Sequence, residues 1–273
     1  AFRGGVSART SGVFVSDRLA VAERLFVSAG IRYDNHETFG GKTTYRVSAS
    51  YAVEESGTRF RASFATGFNA PGIFQLFDPS FGNTDLRAEE SKSWEVGVDQ
   101  STLGDRLNFG ALWFKADFTD LFGFDPNTFQ TVNINESEAE GAEAFAQYTY
   151  TNLSARLDYT YTRAVDNSDG AQLIRRPRNK VSGRVTLRPS DRFAASLSVT
   201  HIGSRADLDF DSFPSVRVRL DPYTLVTLGG SIELSDLWRV SGRVENLFDE
   251  DYQEALFFGA PGRALYLGAR LTP

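Results

Sequence analysis

Cysteine is absent from all 273 residues, and histidine occurs only twice, at His36 and His201. The first absence excludes disulfides and thiolate metal sites, and it suits an oxidising compartment. The second leaves little material for catalysis, because a serine hydrolase needs a histidine that is itself oriented by a third group. His201 follows Ser196 and Ser198 but falls on the opposite parity from both. Pairing with a serine on a neighbouring strand is the one hydrolase route left. Otherwise His201 reads as an interfacial polar residue and His36 as a loop residue. No apolar run of about eighteen residues exists, so the chain encodes no transmembrane helix. Spanning β-strands remain open, since each needs only about 9–11 residues and hides its apolar face in alternation. Positive charge is also outnumbered, 29 Lys and Arg against 35 Asp and Glu. A net charge of −6 argues against broad nucleic-acid affinity, which needs clustered Lys and Arg.

What the chain does have is alternation with period two, the mark of strands with two unlike faces. Tyr45, Val47, Ala49, Tyr51 and Val53 alternate with Arg46, Ser48 and Ser50. Trp94, Val96 and Val98 alternate with Ser93, Glu95 and Asp99, and Leu153, Ala155, Leu157, Tyr159 and Tyr161 with Ser154, Arg156, Asp158 and Thr160. Helical periodicity is hard to find. We expect about thirteen strands, most of about ten residues or more, against a usual globular strand of about 5–6. Between them, tight connections (Glu54–Gly57, Ser101–Asp105, Tyr150–Leu153, Pro189–Asp191, Ser235–Leu237) alternate with longer ones (His36–Lys42, Asn69–Glu90, Asp166–Arg176, Gly203–Leu220, Leu247–Pro261). Asp125–Thr128 is the short exception in the second set. Outer-membrane barrels show this asymmetry of short periplasmic turns and long extracellular loops. A soluble β-sandwich or propeller shows the same alternation and is the competing fold. Trp94, Trp113, Trp238, Tyr148, Tyr150, Tyr159 and Tyr161 lie on the apolar parity, several near strand ends, as aromatic girdles would.

Two motifs sharpen this reading. Near the end stands Asn246-Leu247-Phe248-Asp249-Glu250-Asp251-Tyr252, followed by Pro261-Gly262-Arg263 and a closing strand through Leu271. Earlier come Gly67-Phe68-Asn69-Ala70-Pro71, then Gly82-Asn83-Thr84-Asp85-Leu86-Arg87-Ala88-Glu89-Glu90-Ser91, then Glu95-Val96-Gly97. In this order they resemble the signatures of TonB-dependent outer-membrane receptors. The resemblance implies an all-β fold, an antiparallel transmembrane β-barrel of about 22 strands with a plugged lumen. This chain would supply its C-terminal strands over residues 1–273, with the plug and roughly nine further strands upstream. Ala1–Ala8 would then be the tail of an extracellular loop, and Pro273 would lie on the periplasmic side. Family members usually end on an aromatic; here the end is Leu271-Thr272-Pro273.

The same resemblance implies a receptor in the outer membrane of a Gram-negative bacterium. It would take up a scarce, bulky nutrient such as a siderophore–iron complex or cobalamin, energised by the TonB–ExbB–ExbD complex through the plug. Details of the Asn246–Tyr252 segment lean toward the cobalamin branch. Outer-membrane lipid, lipopolysaccharide and a small-molecule or metal-chelate ligand are the expected partners, nucleic acid is not, and a complete barrel would be a monomer. No cofactor and no catalysis are expected. A passive porin-like channel and an outer-membrane hydrolase are the alternatives.

Ligand contacts are expected where apolar or cationic side chains sit in wet loops. Phe74, Phe77 and Phe81 stand in the Asn69–Glu90 connection, Arg205 and Phe210 in the next long loop but one, and Phe257 near the end. Arg175-Arg176-Pro177-Arg178-Asn179-Lys180 could pair with lipopolysaccharide phosphates or an anionic ligand, because guanidinium matches phosphate geometry. Asp207, Asp209 and Asp211 follow the alternate-carboxylate opening of a calcium loop. The glycine expected sixth is Ser212, however, and the twelfth residue is Val218 rather than Glu.

Overall fold

The computed structural model describes residues 7–125 and 127–272. The strands are β1 (Thr10–Ala22), β2 (Leu25–His36), β3 (Gly40–Val53), β4 (Thr58–Asn69), β5 (Glu89–Thr102), β6 (Leu107–Asp125), β7 (Gln130–Tyr150), β8 (Leu153–Asp166), β9 (Asn179–Ser190), β10 (Phe193–Ile202), β11 (Arg205–Asp209), β12 (Val216–Leu220), β13 (Tyr223–Glu233), β14 (Trp238–Glu245), β15 (Gln253–Ala255), β16 (Phe258–Gly259) and β17 (Ala264–Leu271). One helical turn, α1 (Ile73–Phe77), sits between β4 and β5. Thirteen strands make one antiparallel sheet in the order β1 to β10, β13, β14, β17, and β11–β12 and β15–β16 are separate hairpins within loops. β1 and β17 do not pair with each other, so the sheet is open, a partial barrel.

Register, more than any one contact, separates the faces. Phe60 lies opposite Val98, Val98 opposite Ala111, Ala111 opposite Ala144, Ala144 opposite Tyr159 and Tyr159 opposite Val181. The adjacent row reads Arg61, Gly97, Leu112, Glu143, Thr160 and Lys180. The apolar face is uncovered: Val96 is 56% exposed, Leu157 54% and Leu267 79%. The few buried apolar residues, among them Leu76, Leu86, Leu220 and Tyr223, gather at the loop end. A sandwich would bury its apolar parity against a second sheet, and among the described residues none of comparable size exists. The sandwich and propeller alternatives fall on that ground.

Aromatics mark both ends of the apolar face. Tyr51, Phe60, Phe109, Tyr150, Phe193 and Trp238 lie toward the tight turns, and Tyr45, Phe64, Trp94, Trp113 and Tyr161 toward the loops. Phe64 and Trp94 stack at 4.2 Å between ring centres. Just beyond Trp113 and Tyr161 the same parity turns ionic: Lys115 meets Glu138 at 2.6 Å, and Arg163 meets Glu138 at 3.1 Å and Glu140 at 3.3 Å. Part of the polar face is neutralised locally. Arg32–Asp34, Arg156–Asp158 and Arg243–Glu245 pair two residues apart on one strand, at 2.6, 2.6 and 2.7 Å. Arg59 and Arg61 share Asp99. These pairs are largely exposed, so each adds at most about 1 kcal/mol.

The structure also corrects expectations. The turn after β2 is tight, since β3 already begins at Gly40 rather than beyond Lys42. β7 begins at Gln130, directly after the expected Asp125–Thr128 connection, and its outer half carries Val132 and Ile134 on one parity before the acidic Glu136, Glu138 and Glu140. The connections after β4, β10 and β14 contain a helical turn and two hairpins. The polar face of β6 is not polar: Leu112, Phe114, Phe118, Phe122 and Phe124 share it. The expected loop tail at Ala1–Ala8 falls mostly outside the described residues, as do Pro126 in its turn and Pro273.

Gly141 makes the Phe114 position possible. A Cβ there would sit against the carbonyl of Tyr161 and 2.7 Å from the Phe114 ring. Gly141→Ala should cost about 2 kcal/mol through overpacking. Gly183→Ala, where the nearest atom is 3.8 Å away, should be close to neutral. Urea midpoints of the intact protein in detergent micelles check the contrast.

Candidate ligand-binding rim

The loop end is built by a few short-range polar staples. Asn246, which takes φ +47, is 6% exposed. Its amide donates to the carbonyl of Glu250 at 2.9 Å and accepts the Glu250 N–H at 2.8 Å. Asp249 accepts the Arg263 N–H at 2.7 Å, fixing the start of β17. Asn83 donates to the Thr131 carbonyl at 2.9 Å and accepts the Asp85 N–H at 2.9 Å. Glu89 accepts the Phe122 N–H at 2.6 Å and the Asn69 amide at 2.8 Å. Gly82 fits because a Cβ there would lie 2.6 Å from the Asp78 backbone. The motif residues of both signatures therefore hold loops in place.

A second knot ties three loops together. Asp207 is fully buried. It accepts from Arg175 Nε at 3.0 Å, from the Leu208 N–H at 2.9 Å and from the Leu256 N–H at 2.8 Å. Arg175 also donates its backbone N–H to the Ala206 carbonyl at 2.7 Å. Arg205 lies beside this knot, 5.2 Å from the centre of the Tyr223 ring, with donors to the carbonyls of Gln253 and Glu254. Tyr252 stacks on Tyr223 at 4.4 Å. Burial, with Glu254 and Glu245 nearby, holds the Tyr252 hydroxyl above its ordinary pKa, so the ring stays neutral at physiological pH.

Above these staples an aromatic cluster forms around Phe124. Phe81, Phe210 and Phe129 stand 5.9, 5.8 and 6.1 Å from its ring centre, each edge-on. Three separate segments contribute: the loop after β4, the tip of β6–β7 and the tip of β11–β12. Phe124 is 38% exposed and Phe129 51%, so the cluster is a surface rather than a core. Edge-to-face rings of this kind present flat apolar faces and acidic C–H edges to a bulky ligand.

Of the expected ligand residues, Phe81 and Phe210 meet here. Phe74 and Phe77 project from α1, 59% and 41% exposed, and Phe257 is 60% exposed on the loop before β17. Arg205, also among the expected contacts, is 4% exposed and donates to the Gln253 and Glu254 carbonyls beneath the loop surface. Asp207, Asp209 and Asp211 do not converge. Asp207 is taken by Arg175, and Asp209 caps its own turn through the Asp211 N–H and the Ser212 hydroxyl. Among the described residues no cluster of metal-ligating side chains forms. His201 shares a hydrogen bond with Thr224 at 2.9 Å, and His36 Nδ1 accepts the Thr38 N–H at 3.1 Å, so neither addresses a serine. Phe124 and Phe129 were missed. For Phe124 the signal was present, since Phe114, Phe118, Phe122 and Phe124 all fall on even positions of one strand, whereas Phe129 lies in the turn beyond it.

A family model described as TonB dependent receptor-like, beta-barrel matches residues 1–247. The chain belongs to this receptor family. Among solved structures, the ferric enterobactin receptor PfeA of Pseudomonas aeruginosa, in a mutant form, aligns with a TM-score of 0.81 at 21% identity, covering 97% of this chain and 45% of that one. The siderophore receptor PirA of Acinetobacter baumannii gives 0.82 at 18%, covering 97% and 46%. The copper transporter OprC gives 0.79 at 17%, covering 97% and 48%. The chain thus spans less than half the length of the structures it matches. At these identities the likeness is one of fold, and the TonB-dependent receptor barrel is that fold.

Replacing Asp207 by Asn removes the charge that holds Arg175. Breaking a buried pair costs about 3–5 kcal/mol, and the exposure of Arg175 lowers this to about 2. The expected result is faster proteolysis within residues 167–178 and 203–222 in native membranes, with the sheet still folded.

Proposed function

We propose that residues 1–273 are one β-barrel unit of an outer-membrane receptor for energised uptake of a bulky, scarce ligand. The observation that carries this reading is the uncovered apolar face joined to a stapled loop end. At about 3.4 Å per residue and the usual tilt, Leu153–Tyr161 rises about 20 Å, near the apolar band of about 25 Å on outer-membrane barrels. Aromatic rows bound that stretch at both ends, as interfacial girdles do.

In this reading the polar face lines the lumen and meets a plug domain, and the TonB–ExbB–ExbD complex supplies work through that plug. The Phe81–Phe124–Phe129–Phe210 rim, with Phe74, Phe77 and Phe257 around it, receives the ligand. Ferric siderophores are the first class to test, since two of the structures named above are siderophore receptors by description. A copper complex is the second. Cobalamin, toward which the Asn246–Tyr252 segment leans, has no counterpart among those three descriptions. The polar partners of both histidines support transport over hydrolysis.

Radiolabelled ferric enterobactin and copper uptake in a strain lacking its own receptors tests the reading. Accumulation should require TonB and cease when the proton gradient is collapsed. Phe124→Ala and Phe210→Ala should each weaken binding about three- to tenfold, the worth of an aromatic pair. Steady ion conductance of the intact protein in planar bilayers, with uptake independent of TonB, would replace this reading with a passive channel.

A further inference from the structure

Several cations on the polar parity of the sheet are answered by a carboxylate. Arg32, Arg156 and Arg243 each have an acid two residues on, and Arg59 and Arg61 share Asp99. Arg217-Val218-Arg219 on β12 contrasts with these pairs. Two arginines share one face of the strand, opposite Leu208 and Ala206. Arg178 joins them in a cavity of about 560 Å³ whose wall also holds Gln172, Asn179 and Ser204. No carboxylate lines it. Among the described residues none of the three arginines has an ion-pair partner; Arg175, just outside, takes Asp207. Arg219 instead donates to the Ser204 hydroxyl at 2.6 Å, and Arg217 donates to the carbonyl of Gln172.

A second observation points the same way. Arg205 also lines the cavity and is 4% exposed, yet its buried Nη1 has no hydrogen-bond partner. Buried donors in folded proteins almost always find one. Like charges on one strand face repel, so an arrangement of this kind is stabilised by whatever anion enters it.

We infer that the cavity between the loop after β8 and the β11–β12 hairpin is a binding site for a phosphate-class anion. The group must carry more than one negative charge and offer several acceptors, because the donors are guanidinium forks set around one space. Phosphate meets both demands, and arginine binds it through paired N–H groups. Ser204, Asn179 and Gln172 supply neutral polar groups to orient it. The site is separate from the phenylalanine rim and does not depend on the ligand assigned there.

Two sources of phosphate are separable by experiment. The intact protein in detergent micelles is titrated with inorganic pyrophosphate, and in parallel with mixed micelles carrying diphosphorylated or dephosphorylated lipid A. Arg178→Gln is the main variant, because the Arg178 side chain makes no hydrogen bond or ion pair among the described residues. Arg217→Gln is the second. Heat-modifiable mobility on gels verifies that both variants fold. Pyrophosphate should bind, more weakly as salt rises, and each variant should lose about tenfold in affinity. A lipid A preference that vanishes with its phosphates, and with Arg178→Gln, identifies a headgroup as the source. Equal behaviour of both lipid forms beside tight pyrophosphate binding identifies a soluble one. If neither probe binds, or the folded variants bind as the parent does, the inference is overturned.

Discussion

One constraint governs this molecule: the register of an antiparallel ladder in which each strand pairs with the next. Because side chains alternate with period two, a slip of one residue would turn every apolar side chain to the opposite face. Across β3 to β9 no such slip accumulates, and rows such as Phe60–Val98–Ala111–Ala144–Tyr159–Val181 stay apolar through six strands. The ladder also satisfies the backbone. That matters most on a face that meets hydrocarbon, where no water can replace a missing partner. The usual source of stability, a buried core, is nearly absent here. What core exists sits at the loop end, where it orders connections rather than supporting the sheet.

The loop end divides its labour. Asn246, Asp249, Asn83, Glu89 and Asp207 direct their polar groups to backbone, and in two cases also to Asn69 or Arg175, and so fix where the chain goes. The residues they leave outward, Phe81, Phe124, Phe129 and Phe210, come from three distant stretches and become neighbours only because those staples hold. Rigid support beneath an adaptable aromatic surface is the arrangement a selective site requires.

Much of this was legible in the residues. Alternation placed the strands with two unlike faces, since Leu153–Tyr161 and Trp94–Val98 state their parity without ambiguity. The two motifs gave the family, although not what their residues do. Asn246 and Asp249 turn out to be staples, which no single sequence discloses because their partners, Glu250 and Arg263, are set by the fold of the loop. The outer half of β7 offers only Val132 and Ile134 as apolar alternation before the acidic Glu136, Glu138 and Glu140, a weak signal. Arg205 looked like a surface cation because burial depends on Tyr223 and the carbonyls of Gln253 and Glu254, brought in from elsewhere. On β6 Trp113 and Phe114 are adjacent, so both parities are apolar there and alternation does not assign a face.

The arginine–carboxylate pairs two residues apart have a consequence for how such walls change over time. Arg32–Asp34, Arg156–Asp158 and Arg243–Glu245 each close their charge within a single strand, without calling on a neighbour. A hairpin built this way carries its own electroneutrality. It can be duplicated, lost or exchanged for another without leaving an unpaired charge on the strands that flank it. β2, β8 and β14 are in this sense self-balanced staves, whereas β4 relies on Asp99 of β5 to neutralise Arg59 and Arg61.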